Sequence, residues 1–277
     1  MKRALLAGIG LASLVGAGPA LAGNIVLTGH DDDLHAGGST GTEASAAIAS
    51  SLSFVRAGSS LPVLTFDSGS ELTSALTALG IAFTNVNPNT VSAVTDALFN
   101  NALYSAFAVA SESSCGGCDN SPTGLANIAT HSGAIASFFN AGGGIYGLAG
   151  AADLNAYAYV PEAASNAGGS PPSSGYVQTA AGAAVGINAV NGNATHNFFA
   201  EPGTSGLASA FQVFERLGDP STGTPETIGL GAGTISGGTI TTGGGGDATA
   251  VPEPASLTLL GAGLAGLGAI RRKAKRA

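Results

Sequence analysis

Apolar residues fall along this chain in two patterns that take turns. Short, largely apolar runs at 24–28, 61–66, 81–86, 104–110 and 145–148 have the length of strands buried on both faces. Between them apolar positions recur at helical spacing. Ala44, Ala47, Ile48, Leu52 and Val55 predict a helix over 43–57; others follow through Leu79, over 91–100 and over 125–140. Strands alternating with helices predict an α/β domain, a flavodoxin-like three-layer arrangement with a mainly parallel sheet. From 153 to 191 the pattern breaks up into Gly, Ala, Ser and Pro, and at 208–216 an aromatic-flanked segment resumes as strand or short helix. Residues 219–250 are rich in Gly, Thr and Pro and end in a glycine run that reads as a flexible tether. A hairpin within 227–241 is the alternative for their first part.

Both termini replace this alternation with an apolar stretch flanked by charge. Lys2 and Arg3 precede an apolar run, and Ala20-Leu21-Ala22 supplies a small-x-small cleavage site before Gly23, the plan of a secretory signal peptide. At the other end Val251-Pro252-Glu253-Pro254 leads into uncharged residues 255–270 and then Arg271-Arg272-Lys273-Ala274-Lys275-Arg276. This run is shorter than the roughly 20 residues a bilayer core takes, and Gly261, Gly263, Gly266 and Gly268 weaken it as a helix. The basic residues hold its end in the cytoplasm. A single transmembrane helix of this kind suits a segment that is to be cut; an ordinary single-span anchor or a buried C-terminal helix is the alternative.

Pro252, Glu253 and Pro254, then such a helix, then Arg271, Arg272 and Lys273 resemble the PEP-CTERM sorting signal. The resemblance implies export through the secretion translocon with signal peptidase removing the leader. It also implies a transient stay in the inner membrane through the C-terminal helix, then processing by an exosortase toward the cell surface or extracellular space. The expected organisation is a signal peptide at 1–22, an α/β domain at 23–218, a Gly/Thr-rich segment and tether at 219–250, and the sorting signal at 251–277.

Charge changes the picture of the body. Seven of the nine Lys and Arg lie in the terminal segments, so Arg56 and Arg216 alone face sixteen of the seventeen acidic residues between 23 and 250, a net charge of −14. Such a surface repels phosphate backbones and excludes nucleic acid as a partner. It attracts divalent cations. Tryptophan is absent, and abundant Gly and Ala predict a core of small side chains.

Three segments carry a second resemblance: Ile25-Val26-Leu27-Thr28-Gly29-His30-Asp31, the Gly142-Gly143-Gly144-Ile145-Tyr146-Gly147-Leu148 stretch behind a helix, and Thr195-His196-Asn197-Phe198-Phe199. Together they resemble the class I glutamine amidotransferase-like superfamily, especially its ThuA-like branch, over about 25–216. The resemblance implies that the triple-glycine strand leads to a sharp turn carrying a catalytic cysteine or another functional residue. The matching turn, Leu148-Ala149-Gly150-Ala151, holds no nucleophile. Without one no triad assembles around His196, which falls in the superfamily's histidine-containing loop. The domain is therefore expected to be degenerate, with no catalytic residue assigned.

The sharpest concentration of chemistry is Gly29-His30-Asp31-Asp32-Asp33-Leu34-His35, at the carboxyl end of the first strand, where open α/β sheets place ligands. His30, Asp31, Asp33 and His35 are the candidate ligands of a divalent metal. The alternative has Asp31 capping the next helix or a turn, with Asp32 and Asp33 solvated. Cys115 and Cys118 are the only cysteines, and export favours a local disulfide between them over a redox pair or a metal half-site. Gly142 to Gly147 satisfies the GxGxxG spacing but follows a helix and opens a strand, so it reads as a helix stop, not a dinucleotide fingerprint. His131 reads as a bystander within a helix, and Ser111, Ser113 and Ser114 lack an elbow motif.

These readings converge on an exported, exosortase-sorted cell-surface or matrix protein with a non-catalytic α/β domain and no cofactor, linked by the sorting resemblance to exopolysaccharide and biofilm. The alternative is a metal-dependent hydrolase or carbohydrate-active enzyme using the GHDDDLH loop, with Glu112 or His196 assisting.

Overall fold

Strands that are apolar at every position stay buried only between two covering layers. The computed structural model, which describes residues 22–37, 41–115, 118–150, 153–167, 172–193 and 195–242, has both. Its elements are β1 (Gly23–Thr28), α1 (Asp32–His35), α2 (Gly41–Arg56), β2 (Val63–Phe66), α3 (Glu71–Ala78), β3 (Phe83–Val86), β4 (Ala106–Val109), α4 (Pro122–Ala129), α5 (Ser132–Asn140), β5 (Gly144–Gly147), β6 (Ser165–Ala167), β7 (Tyr176–Gln178), α6 (Ala180–Val185), β8 (Asn197–Phe199), β9 (Gln212–Leu217), β10 (Thr224–Ser236) and β11 (Thr239–Thr242). On one face Ile25, Leu27, Leu64, Phe66, Phe107 and Val109 pack with Phe138 and Phe139 of α5 and with Leu125 and Ile128 of α4. On the other, Val26, Val63, Ala106, Ala108 and Tyr146 meet Ile48, Leu52 and Val55 of α2 and Leu72 and Leu76 of α3.

The main sheet runs β3-β2-β4-β5-β1-β10-β9-β7, with β11 on β10. Its first five strands are parallel and the next three antiparallel. The three-layer, mainly parallel plan is as the hydrophobic pattern predicts. Its order departs from the flavodoxin-like 2-1-3-4-5: β1 stands at the end of the parallel block, against β5. The reason lies in α2, which packs across β1, β5 and β4 and so carries the chain past two strand positions before β2 begins.

Three local expectations are corrected. Residues 91–100 form two single 3-10 turns, Val91–Ala93 and Asp96–Leu98, separated by extended backbone at Thr95, because Val94 and Phe99 reach the core from loops. The helix expected over 125–140 is two, broken at Thr130 and His131, where the Thr130 hydroxyl donates to the Asn127 carbonyl at 2.7 Å. Residues 224–242, expected as part of a Gly/Thr-rich segment outside the domain with a hairpin in 227–241 as the alternative, hold that hairpin, β10 and β11, and it lies inside the domain. Here β10 pairs antiparallel with both β1 and β9. Its residues from Pro225 to Leu230 are buried, so this segment belongs to the domain's centre. The expected signal peptide up to residue 21, the last part of the expected tether, and the sorting signal with its expected transmembrane helix lie outside the described residues. Among the described residues no helix is long and apolar enough to cross a membrane.

Small residues set the spacing between layers. A Cβ on Gly144 would lie 2.1 Å from the Val55 carbonyl oxygen, so α2 can sit this low over β5 only above glycine. Gly144→Ala is expected to cost about 1–3 kcal/mol, as overpacking does, read as a lower urea midpoint. Gly133→Ala in α5, with open space around it, should instead be neutral or stabilising by up to about 1 kcal/mol. A chain ended after Leu217 should lose its cooperative unfolding transition, because β10 bridges β1 to β9; a cooperative transition there would restore the 23–218 boundary.

Candidate functional site

The turn after β1 is where sequence and fold meet. Gly29 opens it because nothing larger fits: a Cβ there would be 1.9 Å from the Asn197 carbonyl oxygen. That approach lets the His196 amide donate to the Gly29 carbonyl at 2.7 Å and sets His30 opposite Thr195 in an isolated bridge. The loop before β8 is thereby drawn onto the GHDDDLH turn. The β5 turn is held there too, since the Ala149 amide donates to the His30 carbonyl at 3.1 Å. Leu148 and Ala149 are buried.

The turn divides its side chains between an interior and a rim. His30 is fully buried, with Nε2 3.4 Å from Glu215 Oε2 of β9 and 3.5 Å from Glu226 Oε1 of β10. Neither of its ring nitrogens makes a hydrogen bond. The Tyr176 ring meets it edge-on at 4.7 Å. Burial alone would lower the imidazole pKa, but the Glu226 and Glu215 carboxylates outweigh it and push it up to about 10. Glu215 accepts from the Val190 amide at 2.7 Å and the Thr227 hydroxyl at 2.6 Å, and Glu226 from the Thr195 hydroxyl. Asp32 accepts from the Asn193 side-chain amide at 3.2 Å, and Asp33 from the Ser111 amide at 2.8 Å and hydroxyl at 2.7 Å. Burial pushes Asp32 and Asp33 up to about 7 and Glu226 up to about 8, each against opposing partners: His30 for Asp32 and Glu226, Ser111 for Asp33.

On the rim, Asp31 stands at the N-cap of α1 without the side-chain cap bond expected of it. Its Oδ1 is 3.5 Å from His35 Nε2 and its Oδ2 3.2 Å from His196 Nε2; the imidazoles are 37% and 25% exposed, the carboxylate 1%. Cys118 Sγ lies 3.7 Å from Asp31 Oδ2 and is not a free thiol. Its expected pairing with Cys115 rests on a side chain outside those described.

Of the four candidate ligands, then, Asp31 and His35 come together, while His30 turns toward β9 and β10 and Asp33 toward β4. The alternative of solvated Asp32 and Asp33 is corrected: both are buried. As the side chains stand, no three His, Cys, Asp or Glu among the described residues are disposed to hold one metal ion. Glu215 and Glu226 were missed by the sequence reading. Glu215, between Val213-Phe214 and Arg216-Leu217, carried a weak signal at most, and Glu226, between Pro225 and Thr227, carried none. His131, expected within a helix, instead sits at the N-cap of α5 and bonds Asp96 at 2.6 Å, on exposed surface.

A second place where open sheets take ligands, the carboxyl ends of β2 and β4, is filled by the chain's own carboxylates. Asp67 accepts from the Gly69 and Thr73 amides at 2.9 and 3.0 Å, and Asp119 from the Ser70 and Glu71 amides at 2.7 and 2.9 Å. The donors that an anionic ligand would use at the start of α3 are therefore spent.

Comparison with known families finds one match, the PEP-CTERM protein-sorting motif, over residues 250–273. The chain carries a PEP-CTERM sorting signal. That makes it an exported protein sorted by an exosortase, bound for the cell envelope or surface. No curated protein and no solved structure matches the chain.

The interior of the site binds more protons folded than unfolded. Asp32, Asp33 and Glu226 hold theirs from about pH 4 up to 7 or 8, and His30 from about 6.5 up to 10. The sign is the same for all four: the stability they contribute is fully present below about pH 4 and is lost progressively as pH rises toward 10. Urea midpoints measured with chelator present should be lower at pH 9 than at pH 5.

Proposed function

We propose that the chain is delivered by exosortase to the cell surface or extracellular matrix, where its α/β domain acts without catalysis in the exopolysaccharide and biofilm setting that the sorting signal suggests. The motif match at 250–273 is the observation that carries this reading. Two features of the domain support it. The β5 turn offers Leu148, Ala149 and Gly150 where an amidotransferase-like domain would carry its nucleophile, and the start of α3 is closed by Asp67 and Asp119. Degenerate amidotransferase-like ancestry, the leader at 1–22, the transmembrane helix within 251–277 and the Cys115–Cys118 disulfide belong to the same proposal. A second reading, a metal-dependent hydrolase or carbohydrate-active enzyme on the GHDDDLH turn, is favoured by one observation: Asp31 Oδ1 is buried and accepts no hydrogen bond.

The sorting reading is tested in the producing bacterium by following the size and location of the chain with and without its exosortase. Without the enzyme, or with Pro252, Glu253 and Pro254 all changed to Ala, the unprocessed chain should accumulate in the inner-membrane fraction. With both intact, a shorter form should appear at the surface. Identical processing and location in an exosortase-deleted strain would overturn it.

A further inference from the structure

Five carboxylates, those of Asp31, Asp32, Asp33, Glu215 and Glu226, lie within the turn and its neighbours at no more than 2% exposure, with His30 as the one buried base among them. The two basic side chains of the described residues are engaged elsewhere: Arg56 with Ser105 and the Leu61 carbonyl, Arg216 with Glu201 and the Gly223 carbonyl. Four of the five carboxylates have partners that hold them in place. Asp33 spends both oxygens on Ser111, Asp32 faces Asn193, and Glu215 and Glu226 flank His30. Asp31 and Glu226 each keep one buried oxygen that accepts no hydrogen bond, but Glu226 faces the buried His30, whereas the groups Asp31 faces are two imidazoles open to solvent.

We propose that Asp31, His35 and His196 bind a divalent transition cation of the zinc class at this rim. The inference rests on the metal reading of the turn and changes its ligands: His196 enters, and His30 and Asp33 leave. Two imidazole nitrogens and one carboxylate oxygen are a donor set suited to zinc, and the surrounding acids raise the local cation concentration. The contacts of 3.5 and 3.2 Å are close to the edge of about 3.4 Å that neighbouring ligand atoms span around a tetrahedral ion at about 2.1 Å. The rings now face different oxygens of one carboxylate, which is why no three groups converge. The backbones of both are held, His35 at the end of a single-turn helix and His196 by its amide's hydrogen bond to Gly29, but both rings are partly exposed and have solvent to turn into. Ring rotation, with the sheet unmoved, closes the site.

The full-length chain, stripped with chelator, is titrated with Zn²⁺ by calorimetry. The expected result is one equivalent bound, with affinity at least ten-fold weaker in His196→Ala and in Asp31→Asn and unchanged in His131→Ala and Asp33→Asn. Zinc bound normally by His196→Ala but lost in Asp33→Asn would overturn this ligand set and leave the metal reading of the turn standing. No zinc bound by the wild-type chain would overturn both. If a variant fails to fold by circular dichroism, Co²⁺ in the wild-type chain decides. Intense d–d bands of a four-coordinate site support the proposal, and weak six-coordinate bands overturn it.

Discussion

The His30 imidazolium, held between Glu215 and Glu226, is the interaction on which the rest of this structure turns. It lies where the parallel block ends at β1 and the antiparallel strands begin, and its two carboxylate partners come one from each of β9 and β10. One positive charge thus stands among several buried acids that no lysine or arginine of the described residues reaches. An unpaired carboxylate in such a place costs several kcal/mol, so the cluster holds together only by sharing protons with His30 and by recruiting neutral donors. The two halves of the sheet are joined by chemistry as well as by ladder hydrogen bonds. Removing the imidazole would leave the two glutamates facing one another across that join.

How much of this was legible in the sequence depended on whether the signal was local. β1, β2, β4 and β5 were readable because each is a short, largely apolar run, β3 less so because Thr84 and Asn85 interrupt it on a partly exposed edge, and the helix over 43–57 because Ile48, Leu52 and Val55 repeat on one face. The position of β1 beside β5 was not, since strand order is set by the length and lie of α2. β10 was half hidden by composition: its Gly and Thr residues read as a segment outside the domain, with a hairpin only as the alternative, yet they pack where bulkier side chains would not fit beside Phe214 and Phe139. The split at Thr130 escaped because apolar spacing continues through it.

The site shows the same division. The GHDDDLH turn announced itself by density of charge, but which of its members face inward followed from pairings across 78 to 199 positions of chain, such as Ser111 with Asp33 and Thr227 with Thr28. Spacing along the turn grouped His30 with Asp31, Asp33 and His35. The sheet regroups them: His30 is committed to β9 and β10, Asp33 to the end of β4, and only Asp31 and His35 remain on the side that His196 approaches. Glu215 and Glu226 had no motif around them, and their place opposite His30 follows only from the pairing of β9 and β10 with β1.

A body with two basic residues cannot neutralise its carboxylates by ion pairs, and its sequence carries the consequence in its hydroxyls and amides. Asp33 is met by Ser111, Asp32 by Asn193, Glu226 by Thr195 and Glu215 by Thr227, which also bonds Thr28 at 2.9 Å. Asp67 and Asp119 are met by backbone amides at the start of α3. Serine and threonine in this chain are thus structural partners of buried acid as well as solubilising surface. They also explain why Ser111 is no nucleophile candidate: its hydroxyl is fully buried and donates to a carboxylate that its own backbone amide also holds. Neutral donors of this kind stabilise carboxylates less than a cation would. The strongest unmet demand in the molecule is therefore for positive charge. Two buried carboxylate oxygens are left without a hydrogen bond, on Glu226 and on Asp31; Glu226 has the His30 charge beside it, and only Asp31 stands beside imidazoles that solvent can reach.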